Sequence, residues 1–146
     1  MTIRSYRETD FPAVLDIYAA SKLDELIYED QRFQLLPLDQ DLKRLEGFRN
    51  SRVFVFEQDG LKTYAALDQS EITALFIHPK RRGTGIGRTL MQHMLERAEG
   101  EATLYVAKSN LPAKRLYEQF GFVITSEFMT DYNGIPILAN KMVRKA

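Results

Sequence analysis

The run Arg82-Gly83-Thr84-Gly85-Ile86-Gly87 carries the clearest chemical signal in the chain. It follows the apolar segment Ile72 to Ile77 and a His78-Pro79 break, and it opens an amphipathic segment near Gly85. A strand, a glycine-rich turn and a helix, in that order, present backbone N–H groups and a helix N-terminus to a phosphate. Glycines leave no side chain to hold an anion away from those amides. Arg81, Arg82 and Arg88 bracket the turn with positive charge. Residues 82–89 are therefore expected to grip a phosphorylated cofactor; the plainer alternative is a turn that lets a helix pack closely. The run is not a Walker A loop, which ends in Gly-Lys-Ser/Thr. Nor do glycines at 83, 85 and 87 make the dinucleotide fingerprint after a first strand.

Other chemistries are narrowed by what the chain lacks. With no cysteine it has no disulfide, thiolate metal site or cysteine acyl-enzyme. Two histidines are too few for a zinc site, so no metal is expected. His78 sits in the turn before Pro79, and His93 is expected on the outer face of the helix that follows. Net charge is zero but uneven: residues 1–70 carry 9 basic and 13 acidic side chains, residues 71–146 carry 11 and 7. An anionic cofactor suits the second half and a cationic substrate the first. No basic stripe with interleaved aromatics points to nucleic acid. No apolar run is long enough to span a bilayer, and Met1-Thr2-Ile3-Arg4 shows no signal-peptide pattern, so a cytoplasmic location is expected and no membrane partner.

The elements that must position these groups follow from periodicity. A single domain over 1–146 is expected from the length. Ile3 to Arg7 alternates as a strand. Asp10 is expected to cap a helix from Phe11, with Val14, Leu15 and Tyr18 inward. Residues 24–37 are ambiguous. Asp39 to Phe48 reads as a second helix with Leu42, Leu45 and Phe48 inward. Strands at 53–56 and 61–67 meet at the Asp59-Gly60 turn, and a third runs over 71–77. A helix over 86–98, a strand over 102–107 and a helix over 110–120 follow. Two strands, 122–132 and 135–143, close the chain around Asn133-Gly134. The order β-α-α-β-β-β-α-β-α-β-β is α+β, with a mixed, mostly antiparallel central sheet and helices on both faces.

This order resembles the GNAT superfamily of acyl-CoA-dependent N-acyltransferases over nearly the whole chain. Two motifs carry the resemblance. Arg82, Gly85 and Gly87 fill the family's pyrophosphate-turn pattern. Asn110-Leu111-Pro112-Ala113 through Leu116-Tyr117 to Gly121-Phe122 matches its second motif, about 25 residues on with a strand between.

The resemblance implies acetyl-CoA as cofactor, held by Arg82, Gly83, Thr84, Gly85, Ile86, Gly87, Arg88 and Thr89. It implies a main-chain N–H near Phe76 or Ile77 for the thioester oxygen, with that strand pairing to the pantetheine. Asn110 would contact the pantetheine or hold the local backbone, and as a plain helix cap it could do both. Tyr117 would stand near the sulfur as the acid for the leaving thiolate, or be a core tyrosine. Relatives often carry a basic glutamate on the fourth strand. Here Glu71 is the only carboxylate on it, at its start, and would act through water; Tyr64, Tyr132 and backbone-bound waters are alternatives. The third strand has Thr63-Tyr64-Ala65 where many relatives carry a glycine. The acceptor would be an amine of a small molecule, peptide or protein. The first helices and last hairpin would recognise it, with the acidic Asp24, Glu25, Glu29 and Asp30 drawing it in or forming a solvated face. Tyr28, Phe33 and Tyr132 are walls of that pocket or core. A homodimer through strands 122–143 is possible by family analogy. The competing reading is an inactive acyl-CoA sensor of the same fold.

Overall fold

The computed structural model describes residues 2–79 and 83–146. Seven strands form one sheet in the order β1-β2-β3-β4-β5-β7-β6. They are β1 (Thr2–Ser5), β2 (Arg52–Glu57), β3 (Leu61–Asp68), β4 (Glu71–Ile77), β5 (Ala102–Ala107), β6 (Val123–Tyr132) and β7 (Ile135–Arg144). Four helices cover it: α1 (Phe11–Ser21), α2 (Leu42–Asn50), α3 (Ile86–Arg97) and α4 (Leu111–Gln119). Only β4 and β5 run parallel; every other pair is antiparallel.

The alternation of Val53-Phe54-Val55-Phe56 shows why both faces are covered. Val53 and Val55 pack with Val14, Ile17, Tyr18 and Phe48 under α1 and α2. Phe54 and Phe56 face the other way, onto Leu90, Met91 and Met94 of α3. All four are buried, so β2 reads as a continuous apolar run. Each fully buried aliphatic or aromatic side chain contributes about 1.5–3 kcal/mol to holding the layers together.

Several local expectations are corrected. Asp10 does not cap α1: it lies in a 3-10 turn (Glu8–Asp10) that runs straight into the helix. Its carboxylate accepts from the Arg7 N–H at 2.8 Å and from both Arg4 terminal nitrogens at 2.8 and 2.9 Å. The Arg4 charge pair has taken the cap's oxygens. The second helix starts at Leu42 rather than Asp39 and is capped by Asp41. Leu38–Gln40 is a separate 3-10 turn, and Leu42 is 77% exposed. His93 is not on an outer face: its ring packs 4.8 Å from that of Phe54, and its Nε2 is buried. Burial holds its pKa below the usual histidine range. The first strand stops at Ser5.

The ambiguous segment resolves into a 3-10 turn (Lys22–Leu26) and an irregular loop up to Leu38. The loop is pinned by Tyr132, whose hydroxyl accepts from the Leu36 N–H at 2.8 Å and donates to the Leu36 carbonyl at 3.2 Å. Leu26, Tyr132 and Ile137 form a small third core beneath it, with Phe33 and Leu36 alongside.

Candidate active site

The parallel strands β4 and β5 are joined at one residue pair, Glu71 with Thr103. The Thr103 N–H also donates to the Ser70 carbonyl at 2.9 Å. Beyond that junction a cleft of about 790 Å³ opens between Thr73, Ala74 and Phe76 of β4 and Tyr105, Val106 and Ala107 of β5. On their other edges β4 pairs with β3 from Glu71 to Ile77 and β5 pairs with β7 from Ala102 to Ala107. The splay therefore leaves peptide groups on the facing edges of β4 and β5 free to pair with an extended ligand. Thr73 is the extra residue of a bulge against β3, where Ala66 pairs with Ala74 but Leu67 with Ile72.

The glycine turn lies beside this cleft and serves two separate steric purposes. Gly83 and Gly85 have φ of 79° and 83°, left-handed conformations that a side chain disfavours. Gly87 has ordinary helical geometry, but a Cβ there would come within 2.8 Å of the Ile77 Cδ1. Helix α3 thus rests directly on the end of β4. The first intrahelical bond is from the Thr89 N–H to the Gly85 carbonyl at 3.1 Å, which the Thr89 hydroxyl also reaches. The amides of Ile86, Gly87 and Arg88 have no intrahelical acceptor. Ile86 is buried, whereas Thr84, Gly85, Arg88 and Thr89 face solvent. The turn fits a pyrophosphate: an open backbone, no obstructing Cβ, and donor amides at a helix start. Arg88 is tied to α4, donating to the Gln119 side-chain oxygen and lying 5.7 Å from the Phe120 ring. Arg81 and Arg82 lie outside the described residues.

Asn110 and Tyr117 reach the cleft from α4. Asn110 caps that helix, its side-chain oxygen accepting from the Ala113 N–H at 3.4 Å. Cap and cleft wall therefore coexist in one residue. Tyr117 packs its ring 6.2 Å from Phe122 and against the α3-side core. Burial first, and the charge of Glu25 second, push its phenol well above the usual range. Helix α4 is fixed to β7 by Lys114, which is buried and donates to the Asn140 side-chain oxygen at 2.8 Å and the Lys108 carbonyl at 3.1 Å.

Glu71 stands half-buried at the β4–β5 junction and lines the cleft. Burial and the neighbouring Asp68 raise its pKa, with Lys141 opposing. Phe76 is buried in the core, and Ile77 presents its carbonyl to the Ser21 hydroxyl at 3.2 Å. The alternative bases fare differently. The Tyr132 hydroxyl is committed to Leu36 in both directions. Tyr64 is 1% exposed between Phe48 and Phe76, and burial pushes its phenol far up, so its phenolate is not at hand.

The acidic cluster divides. Glu25 turns into the cleft and pairs with Lys22 at 2.9 Å. Glu29 accepts from the Ser109 hydroxyl, and Asp30 is exposed. Tyr28 is half-exposed, away from the role of a wall. Lys22 and Tyr18, which also line the cleft, have no distinguishing motif in sequence. Their only signal is helical spacing, with Tyr18 and Lys22 four residues apart and Glu25 three further on. Among the described residues no cluster of His, Cys, Asp and Glu could hold a metal ion, and no helix is long and apolar enough to cross a membrane.

The family model described as the acetyltransferase (GNAT) family matches residues 12–122. Peptidyl-lysine N-acetyltransferase YiaC of Escherichia coli strain K12 is 28% identical over 138 residues, 92% of this chain and 91% of that protein. Peptidyl-lysine N-acetyltransferase YjaB of Salmonella typhimurium is 37% identical over 84 residues, 58% of this chain. The match spans only 57% of YjaB's own length. Among solved structures, yncA of Salmonella typhimurium with its cofactor acetyl-CoA superposes with a TM-score of 0.70 at 21% identity, covering 99% of this chain and 93% of that chain.

Proposed function

The chain belongs to the acetyltransferase (GNAT) family, and on that premise we propose that it moves an acetyl group from acetyl-CoA to the ε-amine of a peptide or protein lysine. The observation that carries this reading is the divergence of β4 from β5 after the Glu71–Thr103 pair, beside a left-handed glycine turn. The names of YiaC and YjaB support lysine as acceptor, and yncA supports the cofactor.

Bound in the cleft, acetyl-CoA would supply an acyl group already activated as a thioester. Gly83 to Thr89 would hold its pyrophosphate by main-chain amides, with Arg82 and Arg88 adding positive charge. The facing edge of β4 would pair with the pantetheine, and Asn110 would bound it from α4. A β4 N–H near Phe76 or Ile77 would donate to the thioester oxygen. One preorganised donor of this kind contributes about 3–4 kcal/mol to the barrier reduction.

The acceptor must lose a proton before it can attack. A lysine ammonium near pKa ~10.4 costs roughly 4–5 kcal/mol to present as free amine at neutral pH. Glu71, its own pKa raised, would take that proton through water. Tyr117 would keep its proton. A thiolate whose thiol has a pKa of ~8.5 is a weaker base than a buried phenolate, so full transfer from Tyr117 is uphill. Its role would be to hydrogen-bond the departing sulfur, with solvent supplying the final proton.

Incubation with acetyl-CoA and a lysine-containing peptide, followed by mass spectrometry, tests the reading. One added acetyl group per modified lysine is expected. Acetyl-CoA binding without any acetylated peptide, across lysine and N-terminal amines, would point to an acyl-CoA sensor instead.

A further inference from the structure

We propose that Glu25, Phe76 and Tyr132 form the seat of the acceptor's ammonium group, and that the chain's own Lys22 fills it until an acceptor arrives. This rests on the reading of the chain as an amine acetyltransferase.

The Lys22 Nζ lies 5.8 Å from the Phe76 ring centroid and 5.4 Å from that of Tyr132. It is 2.9 Å from the Glu25 carboxylate. Two aromatic faces and one carboxylate around a single ammonium make a cation-binding box. All four side chains line the cleft that β4 and β5 open. One wall, Phe76, stands on the strand whose amides face the thioester. The opposite wall, Tyr132, is held rigid by its two bonds to Leu36.

Burial is the main cause of the raised pKa of Tyr18, Tyr64, Tyr117 and Tyr132, and the Glu25 charge adds to it in all four, which sets this carboxylate among the phenols of the cleft. Tyr18 adds a second observation. Its ring packs edge-on to Phe76 at 5.3 Å, and its buried hydroxyl has no hydrogen-bond partner among the described residues. The hydroxyl stays unpartnered with Lys22 in place, so what Tyr18 contributes is the packing that holds Phe76 as a wall.

Among the described residues Lys22 has one ion pair, to Glu25 three positions along on the same 3-10 turn, so no distant element anchors its ammonium. Arg44 also lies over Tyr132, at 5.1 Å, but it is anchored by Asp41 at 3.0 Å and by the Asp131 carbonyl. Lys22 is thus the cation that can leave. An acceptor lysine has the same four-carbon stem and the same ammonium, so it fits where Lys22 fits.

The test uses Nα-acetyl-lysine methylamide as probe, titrated by NMR into the full chain and into Lys22→Met and Glu25→Gln. The uncharged isostere Nα-acetyl-norleucine methylamide is the control. Acetyl-CoA affinity equal to wild type certifies that each variant is folded, with Lys22→Gln in reserve. Lys22→Met should tighten the lysine probe about fivefold, and Glu25→Gln should weaken it about tenfold. The norleucine probe should bind none of them. Unchanged lysine-probe affinity in both variants, equal binding of the norleucine probe, or no lysine-probe binding at all would overturn the proposal. Binding as described with no acetyl transfer would leave the seat intact and reject the enzyme reading. Transfer whose acceptor KM ignores both substitutions would do the reverse.

Discussion

Gly87 and Ile77 are in steric register: a Cβ on Gly87 would lie 2.8 Å from the Ile77 Cδ1. The start of α3 and the end of β4 are therefore so close that any larger residue at 87 requires the Ile77 side chain to shift. That spacing fixes the distance between the amides proposed for the pyrophosphate and those proposed for the thioester.

Gly87→Ala should separate stability from binding. The obstructing atom is the end of a side chain that can rotate, and alanine gains about 1 kcal/mol of helix propensity over glycine. Thermal unfolding should move by only a few degrees. Acetyl-CoA affinity, measured by calorimetry, should fall severalfold because the crowding against Ile77 shifts the amides at the start of α3. Unchanged affinity would break the link between this contact and the cofactor site.

Glu71 should show opposite effects on stability and activity. Its folded pKa is raised, so its contribution to stability is fully present below the ordinary glutamate range and lost as pH rises through the raised value. Glu71→Gln should thus raise the melting temperature at pH ~8. The same substitution should abolish the limb of the kcat/KM profile that rises as Glu71 ionises. A profile identical to wild type would remove Glu71 as the base.

Tyr117→Phe removes one oxygen and leaves the packing against Phe122. Turnover should fall about 10- to 100-fold with the acetyl-CoA KM nearly unchanged. Full activity in the variant would leave Tyr117 as a core residue only.

Some features were legible in sequence because a local backbone demand dictates the residue type. The glycines at 83 and 85 announce left-handed φ, and Asn133-Gly134 announces the final hairpin, whose two residues have φ of 50° and 80°. The helix-cap at Asn110 is local in the same way. What sequence misplaced depends on contacts between elements. Asp10 looks like a cap until Arg4 claims it. Asp39 and Asp41 offer equivalent caps two residues apart, and only tertiary packing of Leu38 chooses between them. Leu42 fits the apolar period yet points outward, because Leu45 and Phe48 already fill that face. Glu25 is one acid among four by sequence, and its place in the cleft depends on where β4 and β6 bring Phe76 and Tyr132.

Asp10→Asn tests the Arg4–Asp10 pair directly. Hydrogen bonds to charged groups contribute about 1.5–3 kcal/mol, so urea denaturation at pH ~7 should show a loss in that range. The Arg4 guanidinium holds the Asp10 pKa below the usual range. Its stabilisation is therefore present above the unfolded pKa and lost as pH falls through the depressed one. The gap between variant and wild type should narrow toward pH ~2–3. A gap independent of pH would mean that the charge on Asp10 contributes nothing.

The most direct test of the account is the initial rate of coenzyme A thiol release with acetyl-CoA and a lysine peptide varied together. Attack by the amine on the thioester within one ternary complex predicts peptide-dependent, saturable release and double-reciprocal lines that intersect. Parallel lines would contradict direct transfer, and release that ignores the peptide would contradict the acetyltransferase reading itself.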